Sequence, residues 1–156
     1  MGVAKVNAQP TRLVLDTNIV LDCFVFDDLA ASDLTAAIEA RRVQPLVHDV
    51  TLDELQRVLA YPQCRLDNSE QQQVLDRYVA SATLVQMPEG FARDALLLPA
   101  GFPRCRDPDD EPFLALALHA RAEGLITRDR DILKLRRKAR KFGVFVLAPQ
   151  EVSFGG

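Results

Sequence analysis

Short apolar runs, several of them closing on an acid, alternate along this chain with longer stretches whose apolar residues recur at helical spacing. Arg12-Leu13-Val14-Leu15 predicts a strand ending at Asp16, after which Thr17 and Asn18 offer capping side chains to a helix over IVLDCFVF. Ser32 or Asp33 can cap a second helix reaching about Arg41, and Gln44 to His48 reads as the next strand. Asp49 or Thr51 then opens a helix that Tyr61-Pro62 stops near Ala60, because proline carries no backbone N–H. Ser69 is placed to cap EQQQVLDRYVASA, where Leu75, Tyr78 and Val79 share a face.

The second half repeats the alternation after an interruption. TLVQM, 83–87, predicts a short strand ending at Pro88. Prolines and glycines at 88, 90, 99, 101, 103 and 108 make residues 88–108 an irregular loop, with room for a short helix over 92–97. A helix is expected from Asp109 to Ala122, ended by Gly124, followed by a strand at 125–127, a helix over DRDILKLRRKAR and a last strand at 144–148. Strands separated by helices call for a parallel sheet covered on both faces, which places the chain in the α/β class.

At 156 residues and 48% hydrophobic content the chain suits one domain with one core system. The expected division is a flexible N-terminal segment over 1–11, the domain over 12–148 and a C-terminal tail over 149–156. Charge interrupts every apolar run well short of a membrane span, and the first ten residues lack the apolar core of a secretory signal. A cytoplasmic setting is therefore expected. Cys23, Cys64 and Cys105 are odd in number and widely spaced, with only His48 and His119 to join them, so reduced structural thiols are favoured over zinc or disulfides.

Candidate chemistry lies in four acidic stations: Asp16, Glu54, the group Asp107/Asp109/Asp110, and Asp129/Asp131. Each has a local explanation. Asp16 suits a turn after a strand, Glu54 could close a capping box with Thr51, and Asp109 to Asp131 fit the positive ends of helices. Local capping does not require the stations to share one place, however. In an open parallel sheet Asp16 and Asp129 both fall at the carboxyl edge, and helices starting at that rim bring Glu54 and Asp110 toward it. Carboxylates gathered without a counterion repel, so their convergence points to bound divalent cations and a metal-dependent nuclease.

The set LDTNIV, TLDEL, DPDDEPFLALALHA and LITRDRDIL, in this order and spacing, resembles the PIN domain family of ribonucleases, particularly its bacterial toxin–antitoxin branch. The resemblance covers about residues 12–148. It implies a three-layer α/β/α sandwich with a central parallel sheet of four to five strands. By position it gives Asp16, Glu54, Asp110 and Asp129 the catalytic, metal-binding role, makes Asp107 and Asp131 auxiliary ligands, and matches Thr17 and Asn18 to the polar residues after the first aspartate. It further implies an RNA substrate, an antitoxin partner and self-association.

Phosphodiester hydrolysis needs an activated water and relief of charge on the leaving oxygen, and an all-oxygen donor set suits one or two Mg2+ or Mn2+ ions. Arg106, Arg128 and Arg130 interleave with the acids and are candidates for positioning phosphate. Lys134, Arg136, Arg137, Lys138, Arg140 and Lys141 add a basic run in a chain of net charge -3. Few aromatic residues and no Trp leave little for extensive base stacking. Two alternatives remain beside this reading. One is a catalytically silent RNA-binding or scaffold domain of the same fold. The other is a haloacid-dehalogenase-like phosphatase, whose Asp-x-Asp motif is broken here by Asn18.

Overall fold

The strand and helix segments assemble, in a computed structural model that describes residues 9–86 and 98–152, around one five-stranded parallel sheet. Its strands are β1 (Thr11–Leu15), β2 (Val43–Val47), β3 (Thr83–Leu84), β4 (Gly124–Ile126) and β5 (Val146–Leu147), ordered β3-β2-β1-β4-β5. Helices α1 (Thr17–Phe24), α2 (Ser32–Glu39), α3 (Asp49–Leu59) and α4 (Asn68–Ser81) supply buried residues to one face. The other face takes α5 (Glu111–His119), α6 (Arg130–Leu133) and α7 (Arg136–Arg140). This is the three-layer α/β/α arrangement.

Alternation of side chains along the strands feeds both layers. Leu13 and Leu15 join the α1–α4 core while Val14 joins the opposite one; Val43 and Val47 part from Leu46, and Ile126 from Leu125, in the same way. Strands buried on both faces need apolar residues at every position, which is why RLVL and GLI read as continuous runs.

Several boundaries differ from the expected ones because a different cap wins locally. His48 is the N-cap of α3: its Nδ1 accepts from the Val50 N–H at 3.1 Å, and Thr51 Oγ1 accepts from the His48 N–H at 3.0 Å. Thr51 is thus engaged one turn earlier than a box with Glu54 would require. Asp67, not Ser69, caps α4, through reciprocal bonds with Glu70 of 2.8 and 2.9 Å. The Asp109–Ala122 helix is instead a 3-10 turn at Pro108–Asp110 followed by α5, which closes where Arg121 turns left-handed at φ 53°.

Gly124 is not a helix stop but the first residue of β4. A Cβ there would lie 3.3 Å from Leu147 Cδ1 and 3.4 Å from Leu13 Cδ2, so a side chain at this position would require those leucine ends to shift by a few tenths of an ångström. The expected helix over 129–140 divides into α6 and α7, and the last strand shrinks to two residues. Met87 and the helix expected over 92–97 fall outside the described residues.

Leu125 is fully buried in β4, between β1 and β5. Leu125→Ala is expected to destabilise the domain by about 2–5 kcal/mol, the range for emptying a packed core site. Urea denaturation should show a lower midpoint with an unchanged slope.

Candidate active site

The strand order reverses between β1 and β4: the chain builds outward from β1 through β2 to β3, then returns to place β4 and β5 on the other side. A reversal of this kind opens a crevice at the carboxyl ends of the two central strands. The register pairs Leu15 with Ile126, so the next residues, Asp16 and Thr127, stand side by side. The Asp16 N–H donates to the Ile126 carbonyl at 3.0 Å, and Thr127 Oγ1 donates to Asp16 Oδ2 at 2.7 Å in a buried contact.

Thr127 also ties in the next acid. Its Oγ1 accepts from the Asp129 N–H at 3.0 Å, while Asp129 Oδ1 caps α6 by accepting from the Asp131 and Ile132 N–H groups at 2.8 and 3.4 Å. The local capping explanation for Asp129 is therefore correct, and it leaves Asp129 Oδ2 without a donor among the described residues. Glu54 comes from α3, where its Oε2 accepts from Thr17 Oγ1 of α1. Thr17 thereby acts across two helices and not as a cap.

Asp110 sits in the 3-10 turn before α5, and no hydrogen-bond donor or cation meets its carboxyl group among the described residues. Burial first, then the negative charges of Asp16, Asp129, Asp107 and Glu54, push it up to about 7. Asp16 is raised chiefly by burial, opposed by the Thr127 and Thr17 hydrogen bonds and reinforced by Asp129. Glu54 is raised by burial too, with the Thr17 hydroxyl opposing and Asp16 adding. Asp110 feels the charges of Asp16, Asp129 and Glu54, so the four acids share one field. Cys105 lies beside them; burial, Glu111, Asp110 and Asp129 push it up to about 12, which keeps it a neutral thiol.

The remaining predicted residues separate into groups. Asp107 Oδ1 caps the 3-10 turn by accepting from the Asp109 N–H at 2.9 Å, and Asp131 stands 3.8 Å from Lys134 Nζ. Asn18, Arg106 and Arg130 are exposed, the last two without an ion pair among the described residues. Arg128 is engaged elsewhere, with Nε 2.9 Å from Asp22 Oδ2 and Nη2 3.3 Å from Asp22 Oδ1. His48 is the buried cap described above.

Thr127 and Asp22 escaped sequence reasoning. Each left a signal: Thr127 is the polar end of an apolar run two residues before Asp129, and Asp22 is a charge in an apolar helix, which needs a partner when buried.

No group of three or more His, Cys, Asp or Glu side chains among the described residues is arranged to hold a metal ion by itself. The donor set nonetheless fits Mg2+ or Mn2+. Such ions take oxygen ligands, often one or two carboxylates with several waters, and Asp110 is a half-buried carboxyl facing like charges with no donor among the described residues.

The PIN domain model matches residues 12–131. No protein of curated function matches the sequence. The fold is similar to a chain in the crystal structure of VapBC2 from Rickettsia felis bound to a DNA fragment from their promoter, with a TM-score of 0.57 and 14% identity over 88% of this chain and 98% of that one.

The raised acids set a pH dependence. Folding raises the Asp110 pKa above its unfolded value near 4, so the folded state holds the extra proton between about pH 4 and 7. Stability of the chelator-treated protein should fall as pH rises through that window, and Asp110→Asn should flatten the fall. Urea midpoints measured from pH 4 to 8 in excess chelator provide the check. A wild-type profile that rises toward pH 7 would contradict it.

Proposed function

Since the chain belongs to the PIN domain family, whose members are generally nucleases, we propose that it is a Mg2+- or Mn2+-dependent endoribonuclease, the toxin of a toxin–antitoxin pair. The observation that carries this reading is Asp110, a carboxyl group with no donor among the described residues, in the field of three other acids at the switch point of a parallel sheet. Structural carboxylates are paired or capping; one kept among like charges is suited to a cation.

In this reading Asp16, Glu54, Asp110 and Asp129 hold the ion or ions, with Asp107 and Asp131 in auxiliary positions. A bound divalent cation supplies an acidified water and electrostatic relief at the phosphate. Thr127 holds one carboxylate oxygen of Asp16 and Thr17 one of Glu54, so a hydroxyl restrains each of these two acids. Asn18 can donate to a phosphate oxygen. Arg106 and Arg130 orient the backbone of a single-stranded RNA and offset the acids' repulsion of it.

The partnership is proposed from the likeness to VapBC2, which is bound to a DNA fragment from their promoter. By analogy the partner is an antitoxin that covers the acidic crevice and joins the complex to DNA, with self-association of the nuclease. Among the described residues no helix is long and apolar enough to cross a membrane, consistent with action on RNA in the cytoplasm.

The purified protein is expected to cleave single-stranded RNA, and not DNA of the same sequence, with Mg2+ or Mn2+ present. Asp16→Asn should lower the rate by roughly 100-fold or more, the scale for removing a group that stabilises developing charge, while circular dichroism stays unchanged. Undiminished cleavage in excess chelator, or in Asp16→Asn, would defeat the reading. Binding measured with the Asp16→Asn protein should weaken linearly in log–log form as salt rises, because phosphate contacts release counterions.

A further inference from the structure

Arg128 is a sequence candidate for positioning phosphate, yet two of its donors are engaged inside the domain. Nε and Nη2 reach both carboxylate oxygens of Asp22, at 2.9 and 3.3 Å. The Asp22 side chain is 8% exposed on α1 and that of Arg128 is 54% exposed. A buried carboxylate must be paired, and the two-point geometry fixes the plane of the guanidinium. The pair links α1, the helix that follows Asp16, to the short segment between β4 and α6.

That segment carries two groups on which the acidic crevice depends. Thr127, just before Arg128, donates to Asp16; Asp129, just after it, is held by Thr127 and caps α6. Besides the Asp129 bonds to α6, three contacts among the described residues tie residues 127–129 to the rest of the domain: the Thr127 N–H on the Leu147 carbonyl at 3.0 Å, the Thr127 hydroxyl on Asp16, and Arg128 on Asp22. Only the third holds the segment from the α1 side at a distance from the acids themselves.

We propose that Asp22 and Arg128 form a positioning clamp that sets Thr127 and Asp129 against Asp16, so that Arg128 serves the carboxylates and not the substrate. The functional part of this inference rests on the nuclease reading above; the structural part does not. Partners behind metal-binding residues typically change metal affinity or activity by about 10- to 100-fold when removed.

The test compares Asp22→Asn, Arg128→Gln, their double variant and Arg128→Lys with the wild type. Amide hydrogen exchange is measured in excess chelator, Mn2+ affinity by electron paramagnetic resonance, and RNA cleavage as KM and kcat. Both single variants should speed exchange at the Asp129, Asp131 and Ile132 amides. Each should weaken Mn2+ binding by about 10-fold and lower kcat more than it raises KM. The double variant should be no worse than the more affected single, because both remove one interaction. Arg128→Lys should recover part of the loss.

Exchange at wild-type rates in both singles would overturn the clamp. So would a rise in KM alone for Arg128→Gln with Asp22→Asn silent, which would return Arg128 to the substrate. Should Asp22→Asn fail to fold, Arg128→Gln against Arg128→Lys decides by the same readouts. A wild type that binds no Mn2+, with exchange still faster in the variants, would remove the nuclease reading and leave the clamp as the hold on Thr127 and Asp129.

Discussion

The pairing of β1 with β4 is the constraint on which the two cores and the crevice all rest. Leu13, Val14 and Leu15 lie against Gly124, Leu125 and Ile126, and their alternate side chains enter opposite layers. Because these strands are central, their side chains lose nearly all contact with water, each gaining about 1.5–3 kcal/mol from burial. Gly124 permits the close approach of Leu13 and Leu147 that seals this region. The same register sets Asp16 beside Thr127, one step beyond the last paired residues.

Placing acids at the end of that pairing is unfavourable in itself. Burial and mutual repulsion raise Asp16, Glu54 and Asp110 together, and the fold counters this unevenly. Asp16 has the Thr127 hydroxyl, Glu54 the Thr17 hydroxyl and Asp129 two amides, whereas Asp110 has no such donor among the described residues. Local violation of good packing within an otherwise consistent fold is a common mark of a functional site.

Hydroxyls and an ion pair, not the acids themselves, decide how the acids point. Thr17 and Thr127 each use a short, stiff β-branched side chain to fix one carboxylate oxygen, and a branched side chain has few rotamers to lose. Arg128 and Asp22 work at greater reach, joining the start of α6 to α1. Cys105, though adjacent, remains outside this polar system because burial, reinforced by the surrounding negative charge, keeps its thiol protonated.

Hydrophobic periodicity by itself determined the class of fold and the order of the elements, since burial on both faces of a strand writes a continuous apolar run; the acidic stations were legible as residue types beside those elements, with Asp16 closing such a run and Glu54 and Asp110 near helix starts. The caps were less legible: His48 with Thr51, and Asp67 with Glu70, compete with Asp49 and Ser69 within a few residues, and neighbouring side chains of similar chemistry leave the choice to small differences in geometry. The partners of the site were decided only in three dimensions. Glu54 meets Thr17 across 37 positions, Asp22 meets Arg128 across 106 and Asp16 meets Thr127 across 111. Periodicity reports which way a side chain faces along its own element, but a hydrogen bond depends on where another element has been carried by strand order and register, and that information exists only once the sheet has formed.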